Sequence, residues 1–180
     1  VLAGDHLKGA SDLGVPVLGV GLFYDQGYFR QHIDSSGWQK ETYGSSDMER
    51  LPFERARDEK GQPLTVRVDT RGGPLYAGVL SLKVGRSTLL LLDPGIEENA
   101  EEDRLLGGHL ERLYGGDQRV RIRQELLLGV GGLRALRAMG IDPSVLHLNE
   151  GHCAFATLEA ARQAISEQGM NFEDAISHVA

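Results

Sequence analysis

The sequence has little cysteine, no long hydrophobic run and no excess of positive charge, and each shortage excludes a class of protein. Cys153 is the single cysteine, so an internal disulfide framework is excluded and a reducing compartment is compatible. No uninterrupted apolar run is longer than Leu89–Leu92, far short of the ~20 residues of a membrane-spanning helix. The net charge of −7 argues against binding to a nucleic-acid backbone. We therefore expect a soluble, cytoplasmic protein with no nucleic-acid or membrane partner.

Common cofactor and metal motifs are missing as well. The sequence contains neither GxGxxG nor GxxxxGK[ST], the glycine-rich motifs that bind dinucleotides and phosphates. Its six histidines form neither HxxxH nor HExxH, so we predict no metal site. A nucleophilic pair of Cys153 with a histidine is conceivable, but a lone cysteine at the start of a helix is more often a small packed residue.

Hydrophobic patterning in the first half predicts an α/β fold. Helical spacing over residues 1–13 leads into a nearly continuous apolar run at 15–22, typical of a strand covered on both faces. Residues 23–53 read as irregular, with many aromatic side chains that we expect to be packed. Alternating apolar residues over 64–93 predict an antiparallel meander, which we place as an insertion at about 54–95.

The second half continues the α/β pattern. A helix is predicted over residues 120–139, and the glycines inside it indicate close packing against a neighbour or a ligand. Residues 144–149 resemble a second buried strand, followed at once by a helix over 153–168. This order predicts a doubly wound, Rossmann-like sheet. Because the chain lacks an initiating Met and opens on residues typical of a domain interior, we expect it to be a piece of a larger protein.

Two segments carry candidate binding residues. The first, Leu148-Asn-Glu-Gly-His-Cys153, lies at a predicted strand-to-helix turn, where α/β sheets bind ligands. Its Asn149, Glu150 and His152 could bind a ligand, or Asn149 or Glu150 could simply cap the helix.

The second segment, Leu113-Tyr-Gly-Gly-Asp-Gln118, is followed by Arg121. Its glycine pair allows close approach of a ligand to the backbone, and the tyrosine offers a flat face of the kind that binds sugars. The alternative is a plain turn that leads into a helix capped by Asp117.

Several motifs together resemble those of α-glucan phosphorylases, in particular the shorter bacterial and archaeal maltodextrin/glycogen phosphorylases. They occur in the family's order over nearly the whole chain, and the combination is specific although no single motif is. The motifs are Leu2-Ala-Gly-Asp-His-Leu-Lys-Gly-Ala-Ser-Asp-Leu-Gly14, Gly27-Tyr-Phe-Arg-Gln31, Gly37-Trp-Gln39, Leu113-Tyr-Gly-Gly-Asp117, Arg121-Ile-Arg-Gln-Glu125 and His147-Leu-Asn-Glu-Gly-His152.

The resemblance implies an enzyme that uses phosphate to cleave the terminal glucose of an α-1,4-glucan and releases glucose 1-phosphate. The family has a two-lobe glycosyltransferase fold, and residues 1–180 correspond to part of the N-terminal, glucan-binding lobe. The C-terminal lobe, which binds pyridoxal phosphate through a lysine, lies outside the chain. The resemblance therefore implies that the full enzyme is a homo-oligomer with pyridoxal phosphate, and that this piece alone holds no catalytic or cofactor-binding residue and is inactive.

The resemblance also implies roles for single residues on the sugar side of the cleft. Tyr114 matches a tyrosine that stacks on an acceptor glucose, Asp117 lies in the loop that lines the catalytic glucose site, and Arg121 lies near that loop. Glu150 and His152, with the adjoining Asn149, match residues beside the sugar subsites. Glu150 stands in place of an Asp, which keeps the charge and moves the oxygens about one bond outward.

Two other functions remain open from the residues alone. One is a non-catalytic glucan-binding module. The other is a nucleotide-sugar glucan synthase, which shares the two-lobe architecture but normally opens with a loop of lysine and glycine that this sequence does not show.

Overall fold

A computed structural model describes residues 2–25, 27, 29–44, 51–107 and 117–179. The described strands are β1 (Leu18–Leu22), β2 (Arg30–Ile33), β3 (Gln39–Thr42), β4 (Glu54–Arg55), β5 (Thr65–Thr70), β6 (Gly73–Val84) and β7 (Ser87–Asp93). The described α-helices are α1 (Leu2–Leu13), α2 (Glu101–Arg104), α3 (Gln118–Leu126), α4 (Gly132–Ala138), α5 (Phe155–Gln168) and α6 (Phe172–Val179).

A mixed five-stranded sheet organises the fold, in the order β1-β7-β6-β4, with β5 also paired with β6. Strands β5, β6 and β7 run antiparallel, which confirms the predicted meander. Strand β7 also pairs in parallel with β1, from Leu18 opposite Thr88 to Leu22 opposite Leu92. The meander and the first strand therefore form one continuous sheet, and the α/β class is confirmed.

Helices cover this sheet on both faces, as the apolar run of β1 predicts. A Cβ atom at Gly19 would lie 3.4 Å from the side chain of Leu7 in α1, whereas one at Gly132 would lie 3.0 Å from Val20. Since successive residues of a strand point to opposite faces, α1 covers one face and α4 covers the other. The core on the α4 side contains buried Val66, Val68, Leu75, Ala77, Val79, Leu127 and Leu136.

The predicted helix over 120–139 is confirmed and contains a wider turn. Helices α3 and α4 are joined by a π-helical segment, Leu127–Gly131, so the chain is helical from Gln118 to Ala138. A Cβ atom at Gly129 would lie 2.7 Å from the backbone nitrogen of Ala156 in α5. This glycine therefore allows a close helix crossing, as its position inside a helix indicates.

The predicted strand at 144–149 is wrong. These residues have no regular secondary structure, and Val145 is 78% exposed, although Leu146 and Leu148 pack partly against the core. A strand requires a neighbour for its ladder of hydrogen bonds, and no strand that the structure describes pairs with this segment.

The region predicted as irregular, 23–53, contains the antiparallel hairpin β2–β3. The Asp34 carboxylate shapes its turn by accepting hydrogen bonds from the backbone N–H groups of Ser36 (2.9 Å) and Trp38 (3.1 Å). These two hydrogen bonds, that of Trp38 being the stronger influence, lower the pKa of Asp34. Of the aromatic residues, Phe23 is buried and packs edge-on against Phe53, but Trp38 is 75% exposed, contrary to the expectation of packing.

Within the described part of the chain, no helix combines the length and the apolar character needed to cross a membrane.

Candidate functional site

A cavity of about 170 Å³ opens at the carboxyl end of β1. Its floor includes Leu22, the last residue of β1, and Leu128 of the π-helical segment. The remaining lining residues are polar or aromatic: Tyr24, Arg121, Gln124, Glu125 and His152. The carboxyl ends of strands are where α/β sheets bind ligands, so this cavity is the candidate site.

The start of α3 sets one wall of the cavity. Asp117 caps this helix, because its carboxylate accepts hydrogen bonds from the backbone N–H groups of Arg119 (2.9 Å) and Val120 (3.0 Å). Helical residues three, four and seven positions apart share a face, so Gln124, Glu125 and Leu128 lie on the same face as Arg121. All four residues line the cavity. The alternative interpretation of Asp117, that it caps the helix, is confirmed. Asp117 is not among the described residues that line the cavity.

His152 also lines the cavity, on a 3₁₀ turn at Gly151–Cys153. Its Nδ1 lies 3.6 Å from Glu125 Oε1, and its Nε2 lies 3.8 Å from Glu150 Oε2. The imidazole is therefore flanked by a carboxylate on each side. Both distances exceed those of hydrogen bonds, so the attraction is electrostatic and acts fully only when His152 is protonated.

The capping alternative for Asn149 and Glu150 is wrong. Glu150 precedes the 3₁₀ turn without a capping hydrogen bond from its side chain, and the N-cap residue of α5 is Ala154. The backbone carbonyl of Asn149 accepts a hydrogen bond from Cys153 Sγ at 3.3 Å. The thiol of Cys153, which is only partly buried, thus donates a hydrogen bond to the backbone.

The structure brings together part of the predicted site. Arg121 and His152 line the same cavity, and Glu150 lies beside His152. Asn149 is next to Glu150 in the chain but is not among the described lining residues. Tyr114 lies outside the described residues.

Besides the apolar Leu22 and Leu128, three polar or aromatic lining residues were missed by sequence reasoning, namely Tyr24, Gln124 and Glu125. Tyr24 lies two residues after the end of β1, so the expectation that ligands bind beyond strand ends, which selected Asn149, also points to Tyr24. Glu125 lies one helical turn after Arg121, and this spacing was its available signal. Gln124 is buried and donates a hydrogen bond through Nε2 to the backbone carbonyl of Leu106 (2.9 Å), which ties α3 to a second 3₁₀ turn, at Leu105–Gly107.

The arrangement suits a neutral ligand rich in hydroxyl groups. Arg121 supplies N–H donors, Glu125 supplies acceptors, and His152 can do either, while Leu22 and Leu128 offer apolar contact. Among the residues with described placement, no group of three His, Cys, Asp or Glu side chains could hold a metal ion.

Curated relatives cover almost the entire chain. It is 46% identical over 185 residues to a glycogen phosphorylase of Mycobacterium tuberculosis and 44% identical over 179 residues to a maltodextrin phosphorylase of Thermococcus litoralis. It is 37% identical over 178 residues to a glycogen phosphorylase of Aquifex aeolicus. Each alignment covers 99% of this chain. No protein-family model matches it.

The resemblance to α-glucan phosphorylases is therefore confirmed, and the chain is homologous to a segment of these proteins. It spans 21% of the length of the Mycobacterium and Thermococcus relatives and 25% of that of the Aquifex relative.

Proposed function

We propose that this chain is the glucan-binding part of an α-glucan phosphorylase, an enzyme that transfers the terminal glucose of maltodextrin or glycogen to phosphate and yields glucose 1-phosphate. The observation that carries the proposal is the cavity at the end of β1, where Arg121 and His152 meet in a chain 37–46% identical to named phosphorylases. Neither a stand-alone glucan-binding module nor a nucleotide-sugar synthase is favoured by any specific observation.

The residues of the cavity would bind and orient the glucan. Arg121 would donate hydrogen bonds to sugar oxygens, and Glu125 would accept them from sugar hydroxyl groups. Tyr114 would stack on the acceptor glucose, as the resemblance implies. Holding the sugar in a fixed orientation lowers the entropic part of the barrier, which is the contribution that this chain would make to the reaction.

Pyridoxal phosphate does not fit this cavity. The cofactor attaches to proteins through a lysine, and the four lysines of the chain, at 8, 40, 60 and 83, are absent from the described lining. We propose that the full enzyme binds the cofactor through a lysine outside these residues.

The proposal extends to the surroundings of the site. The mixed sheet with helices on both faces would be part of a Rossmann-like N-terminal lobe of a two-lobe enzyme. We further propose that the full enzyme is a cytoplasmic homo-oligomer and that this segment alone is inactive.

The test is phosphorolysis of maltodextrin by the natural full-length protein that carries this sequence. We expect glucose 1-phosphate to form and Arg121→Ala to lower kcat/KM about 10- to 100-fold, since hydrogen bonds to a charged group contribute about 1.5–3 kcal/mol. Arg119→Ala is the matched control, because Arg119 is exposed on the same helix and is not among the lining residues.

Two results would count against the proposal. If the unaltered protein formed no glucose 1-phosphate, the phosphorylase function would be wrong. If Arg119→Ala and Arg121→Ala reduced activity equally, the cavity would not be the glucan site.

A further inference from the structure

Glu150 has a backbone conformation that normally requires glycine. Its φ is 59° and its ψ is −160°, a region that residues with a Cβ atom rarely occupy because of steric strain. Among the residues that the structure describes, it is the one non-glycine residue with positive φ. The seven other described positions with positive φ are all glycines, such as Gly140 and Gly169.

The fold makes no evident use of the Glu150 side chain. The side chain is 85% exposed and forms no capping hydrogen bond at the 3₁₀ turn that follows. A glycine at this position would therefore relieve the strain without removing a packing contact from the core.

The carboxylate of Glu150 nevertheless has a defined neighbour. Its Oε2 lies 3.8 Å from Nε2 of His152, while Glu125 lies 3.6 Å from Nδ1 on the other side of the ring. Glu125 belongs to α3, and Glu150 belongs to the chain that leads into the 3₁₀ turn. The two carboxylates thus flank the imidazole from separate elements of the fold, at the wall of the cavity.

We propose that Glu150 is a positioning residue for His152 and that its strained backbone is retained because it directs the carboxylate at the imidazole. The strain destabilises the folded chain, but the conformation that causes it fixes the orientation of His152 toward the bound sugar. The role of the sugar rests on the proposed function, whereas the strain and the contact with His152 do not.

The experiment compares Glu150→Gly with Glu150→Ala in the natural full-length protein. Both remove the carboxylate, but only glycine relieves the strain. We expect the thermal midpoint of Glu150→Gly to exceed that of Glu150→Ala by about 0.5–2 °C, a small shift because the strain of one residue acts on the unfolding entropy of a protein several times as long as this chain. Equal midpoints would show that the backbone is unstrained and would overturn the proposal.

The contact with His152 is tested by the ¹⁵N chemical shifts of its imidazole in histidine-labelled protein. Glu150→Ala should move these shifts, whereas Glu150→Asp should keep them close to those of the unaltered protein. This measurement needs neither substrate nor activity. Unchanged shifts in Glu150→Ala would overturn the positioning role even if the protein is an active phosphorylase.

The effect on sugar binding is read from the kinetics. We expect the KM for maltodextrin to rise about tenfold in both Glu150→Gly and Glu150→Ala, with kcat changed less than about threefold and KM restored largely by Glu150→Asp. A KM that stays unchanged in both variants would overturn the link between the strain and the site. If the unaltered protein has no phosphorylase activity, the proposed function fails, while the midpoints and shifts still decide the positioning role.

Discussion

Replacing Gly129 with alanine tests the close packing of the π-helical segment against α5. The new Cβ atom would lie 2.7 Å from the nitrogen of Ala156, 2.8 Å from Cβ of Phe155 and 2.9 Å from the carbonyl carbon of Phe155. Because two of these atoms belong to the backbone, a change of rotamer cannot relieve the clash, and α5 must move by several tenths of an ångström.

The magnitude follows from two opposing effects. Overpacking a well-filled core costs about 1–3 kcal/mol, and the rigid obstacle favours the upper part of that range. Alanine recovers up to about 1 kcal/mol of helix propensity. We therefore expect Gly129→Ala to lower the free energy of unfolding by about 2 kcal/mol. Since His152 precedes α5 by three residues, a shifted α5 should also displace the imidazole from Arg121 and weaken glucan binding.

The assay is the thermal midpoint of the natural protein, measured together with hydrogen exchange of the α5 amides. Gly9→Ala in the middle of α1 is the control, because a Cβ atom there would meet nothing within 4 Å. We expect Gly9→Ala to raise the stability by about 0.5–1 kcal/mol. If Gly129→Ala raised it by a similar amount, the inference of a close helix crossing would be refuted.

Two further predictions concern the sugar and the ion network. Tyr114→Ala should raise the KM for the oligosaccharide acceptor far more than that for glucose 1-phosphate, and equal effects on both would refute stacking on the acceptor. Burial opposes the ionisation of Glu159, but hydrogen bonds from Arg162 and Arg134 outweigh it and leave the pKa lowered, so the carboxylate stabilises the fold above its ordinary pKa of about 4. Glu159→Gln should therefore lower the free energy of unfolding by about 1–2 kcal/mol at pH 7, and this loss should shrink as the pH falls through the lowered pKa of Glu159. The exposed Glu173→Gln is the control. A loss of stability that stays constant from pH 7 to 3, or that equals the loss in Glu173→Gln, would contradict the prediction.

The spacing of apolar residues predicted those helices and strands that bury an apolar face. Helix α1 and the meander β5–β7 have buried residues at helical or alternating spacing, so the sequence revealed them. The hairpin β2–β3 could not be found in this way, because all eight of its strand residues are exposed and no hydrophobic alternation exists. The turn between its strands is organised by the carboxylate of Asp34, which is a polar feature.

The failure at 144–149 has a different cause. A run such as Ser144-Val-Leu-His-Leu-Asn149 has the composition of a buried strand, but a strand also depends on a partner elsewhere in the chain. The pairing of β1 with β7 is equally non-local and could not be predicted from either segment alone.

The candidate site was predictable only in part, for the same reason. Arg121 and His152 were found through motifs that resemble a family, and their meeting in one cavity depends on how α3 and the 3₁₀ turn pack together. The sequence gives no sign of the strained backbone at Glu150, because glutamate rarely adopts a positive φ and its presence does not predict one.

The parallel pairing of β1 with β7 also determines the order in which the chain can fold. Leu18 is paired with Thr88, seventy positions later, and no described strand pairs with the other edge of β1. During synthesis, β1 leaves the ribosome well before its partner exists, whereas each hairpin of the meander closes over a few residues. We therefore expect the meander to form first and to serve as the template on which α1 and β1 dock. Substitutions that weaken the tight turn between β6 and β7 should delay completion of the floor of the cavity, although that turn lies at the opposite end of β7 from the cavity.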